Sequence, residues 1–489
     1  MNKFTSSKTK HNGLTLNRDW DVVVVGGGPA GLFAALGVLA TTNSSVLLLD
    51  EGHDIEERHS ASWPSAPGLE TSNEYVEGVG GAGLFSDGKL CMSLDVGGRL
   101  EQVLGEVERS RLLALIREAF ENLLGVQPAS EVDPAQIAQV KARAERVGLD
   151  FKYYPVLHIG TDRCSLVIRA IRDALVRCKA KIAAECRLVE LSVSETGVKR
   201  LTVEHDGTTT ELRAQQVVLA MGKVGAATQT AFCRNLGIGI STRPMYLGVR
   251  FETDASVLAP LFALSKDPKY SLRLPDGSKI KTHCASENGQ VLDLHYDGLP
   301  LAGGHNFRDH STGRSGFAIL WDGYQWPGEA YDAARGLMQR IAATTDGKLL
   351  AHAWSDYQNG LPSDEGTLAG LPLSQRHCAP GDVRQFLPAS YFSACDEFLS
   401  RLGSLCPQLP GKRAVFYAPA IEWWMNRINT EQHMETVCRG LYSCGDGSGW
   451  SQGIVHAAAT GLWASEGISS GRVSPEQLRQ VLSGSQIHG

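Results

Sequence analysis

An α/β fold is predicted for this chain: a Rossmann-like nucleotide-binding domain, discontinuous in sequence, joined to a second, mixed α+β domain. Three observations predict it. Residues 21–50 run as an apolar strand, a glycine turn, a small-residue helix and a second apolar strand ending in an acid. Two more strand-to-glycine junctions follow far downstream, at Ala220-Met221-Gly222 and at Gly445-Asp446. Between them, from about residue 245 to 410, the texture changes to short strand-like runs separated by Asp, Gly and Pro turns, then to polar and helical stretches rich in Trp, His and Arg. At 489 residues, the chain is too long for one ordinary core.

The first unit carries the most information. Val22–Val25 form the strand, and Gly26-Gly27-Gly28-Pro29-Ala30-Gly31 form the turn. In a dinucleotide-binding turn the first glycine allows the tight bend. The second lets backbone approach a pyrophosphate, and the third lets helix and strand pack closely. Gly26, Gly28 and Gly31 take these roles, with Pro29 and Ala30 between them. The first amides of the helix then face negative charge. Asp50 stands 19 residues beyond Gly31, near the ~20 expected for a carboxylate that accepts a ribose hydroxyl. A buried hydrophobic hairpin and a transmembrane span over residues 21–40 are the competing readings, and the glycines, Pro29 and Asp21 argue against the span.

Further along, residues 78–88 hold five glycines in eleven positions, each at an entropic cost to the backbone. The functional reading is a loop running close to a cofactor, and the alternative is a surface linker. Residues 101–150 have helical spacing and few glycines. His158–Arg163 opens a helix expected over 165–179, with Thr161 or Asp162 as its N-cap. The segments 186–193, 198–204 and 210–219 read as a strand and a hairpin closed by Asp206-Gly207. Strands are expected within the second domain at Tyr246–Phe251, Lys279–Cys284 and Gly289–His295. Near the end, Arg439–Asp446 reads as a strand, and Gly447–Glu466 as a glycine loop feeding a small-residue helix. The expected boundaries are therefore 20–100, 151–244 and 411–475 for the nucleotide-binding domain. A helical insertion takes 101–150, the second domain 245–410, and tails 1–19 and 476–489.

Composition narrows the function. A net charge of −6 gives no support for nucleic-acid binding. The 11 cysteines show no Cys-x-x-Cys pair, so neither a zinc ribbon nor a redox dithiol is indicated. Their odd number and scatter fit reduced thiols in a cytoplasmic protein. The 14 histidines show no His-x-x-x-His or His-x-His pairing, so no metal site is expected. Residues 1–19 lack the apolar run of a secretory signal.

The order of the three glycine signals resembles the two-dinucleotide-binding-domain flavoproteins of the glutathione reductase superfamily. More closely, five strings in order resemble a bacterial family of FAD-dependent dehydrogenases. They are Gly80–Leu90, His158–Arg163, Gly248-Val249-Arg250, Thr312-Gly313-Arg314-Ser315, and Gly445–Gly449 with Gly453-Ile454. The likeness spans roughly residues 20–470. One departure is Ala-Met-Gly222, where Ala-Thr-Gly or Ala-Ile-Gly is commoner.

The resemblance implies FAD lying extended across the sheet. By it, Gly26, Gly28, Pro29, Ala30 and Gly31 hold the pyrophosphate and Asp50 the adenosine ribose, while backbone at Arg187–Leu188 meets the adenine. The loop Gly81, Ala82, Gly83, Ser86 to Lys89 covers the isoalloxazine side. Gly222 ends a cofactor-facing strand, and Gly445, Asp446, Gly453 and Ile454 line the ribityl chain and flavin. A positive helix end near the pyrimidine ring favours an anionic reduced flavin.

The expected function is hydride transfer between flavin N5 and a small organic substrate held between the domains, with NAD(P)H a further expected electron donor. A second complete GxGxxG unit is missing, so no dedicated nicotinamide domain is indicated. Lys89, His305, Arg314 and His456 are the candidates for proton transfer or substrate anchoring. Each has a structural alternative: Lys89 neutralising the pyrophosphate, His305 and Arg314 pairing with each other, and His456 lying in a helix interface. A flavin monooxygenase and a non-catalytic flavin-binding or sensor protein are the other readings. The oligomeric state is not expressed in the sequence.

Overall fold

The computed structural model describes residues 16–58, 75–84, 86–125, 132–242, 244–307, 310–326 and 328–483. The segments 1–15 and 484–489 of the expected tails, and most of the polar loop before Tyr75, lie outside the described residues.

Two sheets organise the chain. The first has seven strands and contains β1 (Asp19–Val25) and β2 (Val46–Leu49), joined by helix α1 (Pro29–Thr41). Its parallel part runs Lys181–Ala183, β2, β1 and Thr208–Leu219, with Leu441–Ser443 added alongside the last. Val22–Val25 and all of β2 are buried, as a parallel sheet covered on both faces requires. Cys186–Val193, Lys199–His205 and Thr208–Leu219 form an antiparallel meander. The hairpin turns at Asp206 and Gly207, both at positive φ, where the Asp-Gly pair predicts it.

The second sheet has eight strands, in the order 378–380, 349–353, 415–422, 246–254, 314–321, 279–286, 269–273 and 150–152. All its pairings are antiparallel except the first. A separate hairpin, Gln290–Tyr296 with Leu299–His305, lies beside it.

Several sequence boundaries shift. The second sheet recruits Asp150–Lys152 and Val415–Glu422, outside the expected 245–410, because strand pairing is non-local and leaves no mark on local pattern. The helix expected over 165–179 runs Thr161–Arg177, and Gly160, at φ 79°, holds the N-cap position expected for Thr161 or Asp162. Residues 476–482 are no tail. Helix Pro475–Leu482 starts with a capping box between Ser474 and Gln477 and buries Leu478, Val481 and Leu482. At the other end Leu16 is buried and the Arg18 guanidinium sits 3.6 Å over the Trp20 ring, so order begins before residue 19. Among the described residues, no helix is long and apolar enough to cross a membrane.

Candidate functional site

The glycine turn after β1 is built by close contacts that leave no room for side chains. Gly26 sits at φ 107°, and a Cβ there would lie 2.2 Å from the Ala220 carbonyl oxygen. A Cβ on Gly31 would lie 1.9 Å from the Gly26 oxygen, so α1 is pressed directly onto the turn. Gly28 occupies the N-cap position of α1 and Pro29 the first helical position. The first helical bond is from Leu32 N–H to Gly28 O at 2.9 Å, which leaves the amides of Ala30 and Gly31 without intrahelical acceptors. No side chain caps this end and no acid lies in its first turn.

Asp50 does more than the ribose role alone predicts. Its Oδ2 accepts from Gly27 N–H at 2.6 Å, and its Oδ1 accepts from Gly52 and Gly78 N–H at 3.0 and 2.8 Å. One buried carboxylate thus ties the turn to two neighbouring loops. Burial raises its pKa, and the three amides oppose that. A carboxylate has about four lone-pair sites, so one remains for a ligand.

Two distant segments close over the turn. A Cβ on Gly81 would meet Gly28 Cα at 3.0 Å, and one on Gly83 would meet Pro29 Cγ at 2.9 Å. A Cβ on Gly445 (φ 78°) would meet Ala30 Cβ at 2.9 Å, which brings the late Gly-Asp segment onto α1. Helix Ile454–Ser469 then starts behind Gly453, again with no capping side chain and no acid in its first turn. Its first helical bond is Ala457 N–H to Gly453 O, 2.9 Å. Asp446 accepts from Ser451 Oγ at 2.7 Å and faces Lys223 Nζ at 3.9 Å, and burial raises its pKa.

All of this borders one cavity of about 690 Å³. Its wall includes Gly26, Gly28, Pro29, Ala30, Asp50, Gly81, Ala82, Gly83, Ser86, Leu188, Gly222, Gly445, Asp446, Gly453 and Ile454. Of the turn residues expected to hold the pyrophosphate, Gly31 alone is absent from that wall, because it is spent on packing, and Arg187, expected beside the adenine, is absent too. A Cβ would meet nothing within 4 Å at Gly222 or Gly453, and at Gly28 nothing nearer than 3.9 Å. Two uncapped helix starts, a bare glycine rim and a leftover carboxylate site fit an extended dinucleotide.

The cavity continues onto the second sheet and its flanks, through Arg250, Lys269, His283, Cys284 and Glu422 on the sheet, Asp267 just before its strand 269–273, and His305 on the separate hairpin. Lys89 Nζ is buried, 2.7 Å from Asp87 and 3.9 Å from Asp267, and donates to the Ala285 carbonyl. Burial works against its charge, but the two carboxylates hold the ammonium protonated well above the usual range. Asp267 also accepts from Tyr154 OH at 2.5 Å and pairs with Lys269 at 3.0 Å. Burial pushes His283 and His305 down to about 3 and His456 to about 4, so all three are neutral at pH 7. Among the described residues His456 Nε2 has no hydrogen-bond partner, and Gly98 packs so closely on the ring that a Cβ there would lie 1.9 Å from Cδ2.

Of the four expected catalytic residues, Lys89, His305 and His456 border the cavity and Arg314 does not. Arg314 pairs with Glu252 at 3.2 Å and Asp254 at 2.7 Å, and donates to the Arg413 carbonyl at 2.8 Å. It pins two strands of the second sheet together, so neither the chemical role nor the pairing with His305 holds for it. Two residues beside quoted motifs were passed over. Lys223 directly follows Gly222, and Arg250 ends Gly-Val-Arg; both border the cavity. A cation next to a cofactor-like glycine was the available signal for Lys223. Away from the cavity, the ligand atoms of His53, Glu57 and Glu185 come within 4.8 Å of one another at the surface.

No protein-family model matches the chain. An uncharacterized protein of Clostridium beijerinckii is 26% identical over 234 residues, covering 47% of this chain and 36% of that one. The chain thus matches about a third of the length of that curated relative. Among solved structures, glycine oxidase from Geobacillus kaustophilus superposes on 93% of this chain and 96% of its own at 14% identity, with a TM-score of 0.40. L-Amino acid deaminase from Proteus myxofaciens, in complex with anthranilate, does so over 95% and 93% at 13% identity, with a TM-score of 0.41.

Proposed function

We propose that this chain is an FAD-dependent oxidoreductase acting on a small organic substrate between its two sheets. The observation that carries the reading is that Gly28 and Asp446, 418 positions apart, border one cavity at which two uncapped helices begin.

In this reading the amide of Ala30, at the start of α1 beside Gly28, holds the pyrophosphate, while Asp50 offers its remaining acceptor to the adenosine ribose. Leu188 packs on the adenine. Asp446 and the loop 81–83 with Ser86 flank the ribityl chain, and Gly222, Gly453 and Ile454 shape the wall beside the ring. FAD supplies two-electron, hydride-type redox chemistry when bound. The protein binds, orients and handles protons. The amides at the start of helix Ile454–Ser469 present positive potential to the cavity, which favours an anion there. Lys89, locked between Asp87 and Asp267, is a fixed positive charge rather than a proton donor. His305 and His456 are neutral and buried, and the same burial opposes their protonation, so each serves to orient a ligand through a ring nitrogen rather than to store a proton. The electrons come from the substrate itself or from NAD(P)H.

Anaerobic titration of the yellow holoprotein with NADH, NADPH and a panel of metabolites tests this. Bleaching of the visible bands by any of them, with return on adding an acceptor, is expected. A protein whose chromophore no donor bleaches is a flavin carrier and not an oxidoreductase.

A further inference from the structure

Arg250 differs from the buried cations Lys89 and Arg314. Its side chain is 1% exposed, it borders the cavity, and among the described residues it makes no ion pair within 4.0 Å. Arg314, on the neighbouring strand and four positions along the register, shows the usual solution with two carboxylates. Lys89 likewise has Asp87 and Asp267. A buried lysine can escape by losing its proton, but a guanidinium cannot. An uncompensated charge in such a place is costly unless something anionic joins it.

The local backbone is shaped around this group. Cys284 sits at φ 45°, a left-handed conformation uncommon for a side chain of its kind, within a register shift between His283 and Ser286. The kink sends two successive carbonyls to two cations: Cys284 O accepts from Arg250 Nη1 at 3.1 Å, and Ala285 O accepts from Lys89. Ser286 Oγ accepts from Nη2. Gly304 gives the head group its space, since a Cβ there would lie 1.9 Å from Nη2. Among the described residues, two of the five guanidinium N–H groups are used, and Nε, which is buried, has no partner. Planar donors left free beside a cavity match a carboxylate, which takes two of them side by side. The wall of the same cavity also carries the apolar Leu301 and Ala318.

We propose that Arg250 anchors a carboxylate of the substrate, so that the substrate class is a small organic acid with an apolar body. This rests on the reading of the cavity as the site of an oxidoreductase, and the test separates the two. The protein as purified is titrated with hexanoate, benzoate and pyruvate, each beside its neutral amide, and with inorganic phosphate. Tryptophan fluorescence and the visible spectrum are read, and bound chromophore per chain is counted.

At least one acid is expected to bind, with its amide and phosphate at least tenfold weaker. Arg250→Met should lower that affinity roughly tenfold to a hundredfold, in line with losing a charged hydrogen bond. Arg250→Lys should recover part of it, and chromophore content should not change. Gly304→Ala, which keeps the charge but crowds Nη2, should also weaken binding and decides the matter if Arg250→Met does not fold. The proposal is overturned if no acid binds, if amide or phosphate binds as well as acid, if folded Arg250 variants keep full affinity, or if they shed the chromophore. A protein that holds FAD but binds no acid sinks only this proposal. One that binds acid through Arg250 but holds no FAD sinks the oxidoreductase reading instead.

Discussion

His456 sits where the late helix begins, 1% exposed, with an imidazole that burial keeps neutral down to about pH 4. Unfolded, the same ring takes a proton near its ordinary 6.5. The folded chain therefore binds fewer protons than the unfolded one between those values. Its contribution to stability is fully present above about pH 6.5 and is lost as pH falls toward 4. Chemical denaturation at a series of pH values checks this. His456→Gln should flatten the decline by up to about 1.4 kcal/mol per pH unit in that window. An unchanged slope would mean that the ring is solvated. Asp50 carries a second lesson at this scale. Spacing identified it, but spacing could not reveal that three backbone amides already share its oxygens. Arg314 and Arg250 show the limit more sharply. Both are arginines on strands of one sheet, and only the fold reveals that carboxylates surround one and none meets the other.

At the scale of elements, α1 and helix Ile454–Ser469 are held together by missing side chains. A Cβ on Gly461 would lie 2.0 Å from the Ala30 carbonyl oxygen, and one on Gly37 would lie 2.0 Å from Ser465 Oγ. This backbone-close contact lets both helix starts reach the same cavity. Gly461→Ala should force the helices apart, destabilise the fold by about 1–3 kcal/mol and reduce FAD retention with it. Thermal melting and flavin content on the same sample check both, and a variant with native stability and full flavin would contradict the packing. Much of this was legible in advance. The strand–turn–helix–strand of residues 21–50, the Asp206-Gly207 hairpin and the Gly445-Asp446 junction all announce themselves through glycine and apolar period. Gly160 in the N-cap position and the helix after Ser474 were missed. A glycine N-cap has no side-chain signature, and the closing helix is short and exposes half of its residues, so its local pattern reads as polar.

Across the whole molecule, the sequence scatters its cofactor-like segments over residues 26–31, 81–89, 220–222 and 445–454. The fold brings them to one cavity between two sheets. Long-range pairing does this: Leu441–Ser443 docks beside Thr208–Leu219, and Asp150–Lys152 completes a sheet made largely of residues 246–422. None of that is visible in a local window, which is why the domain boundaries shifted while the elements themselves stood. The central claim is that these segments jointly hold one FAD. Its most direct measurement is the flavin released on denaturing the purified protein, quantified against chain concentration after incubation with excess FAD and removal of what stays free. One FAD per chain is predicted. A chain that releases none, and takes none up, would contradict the account.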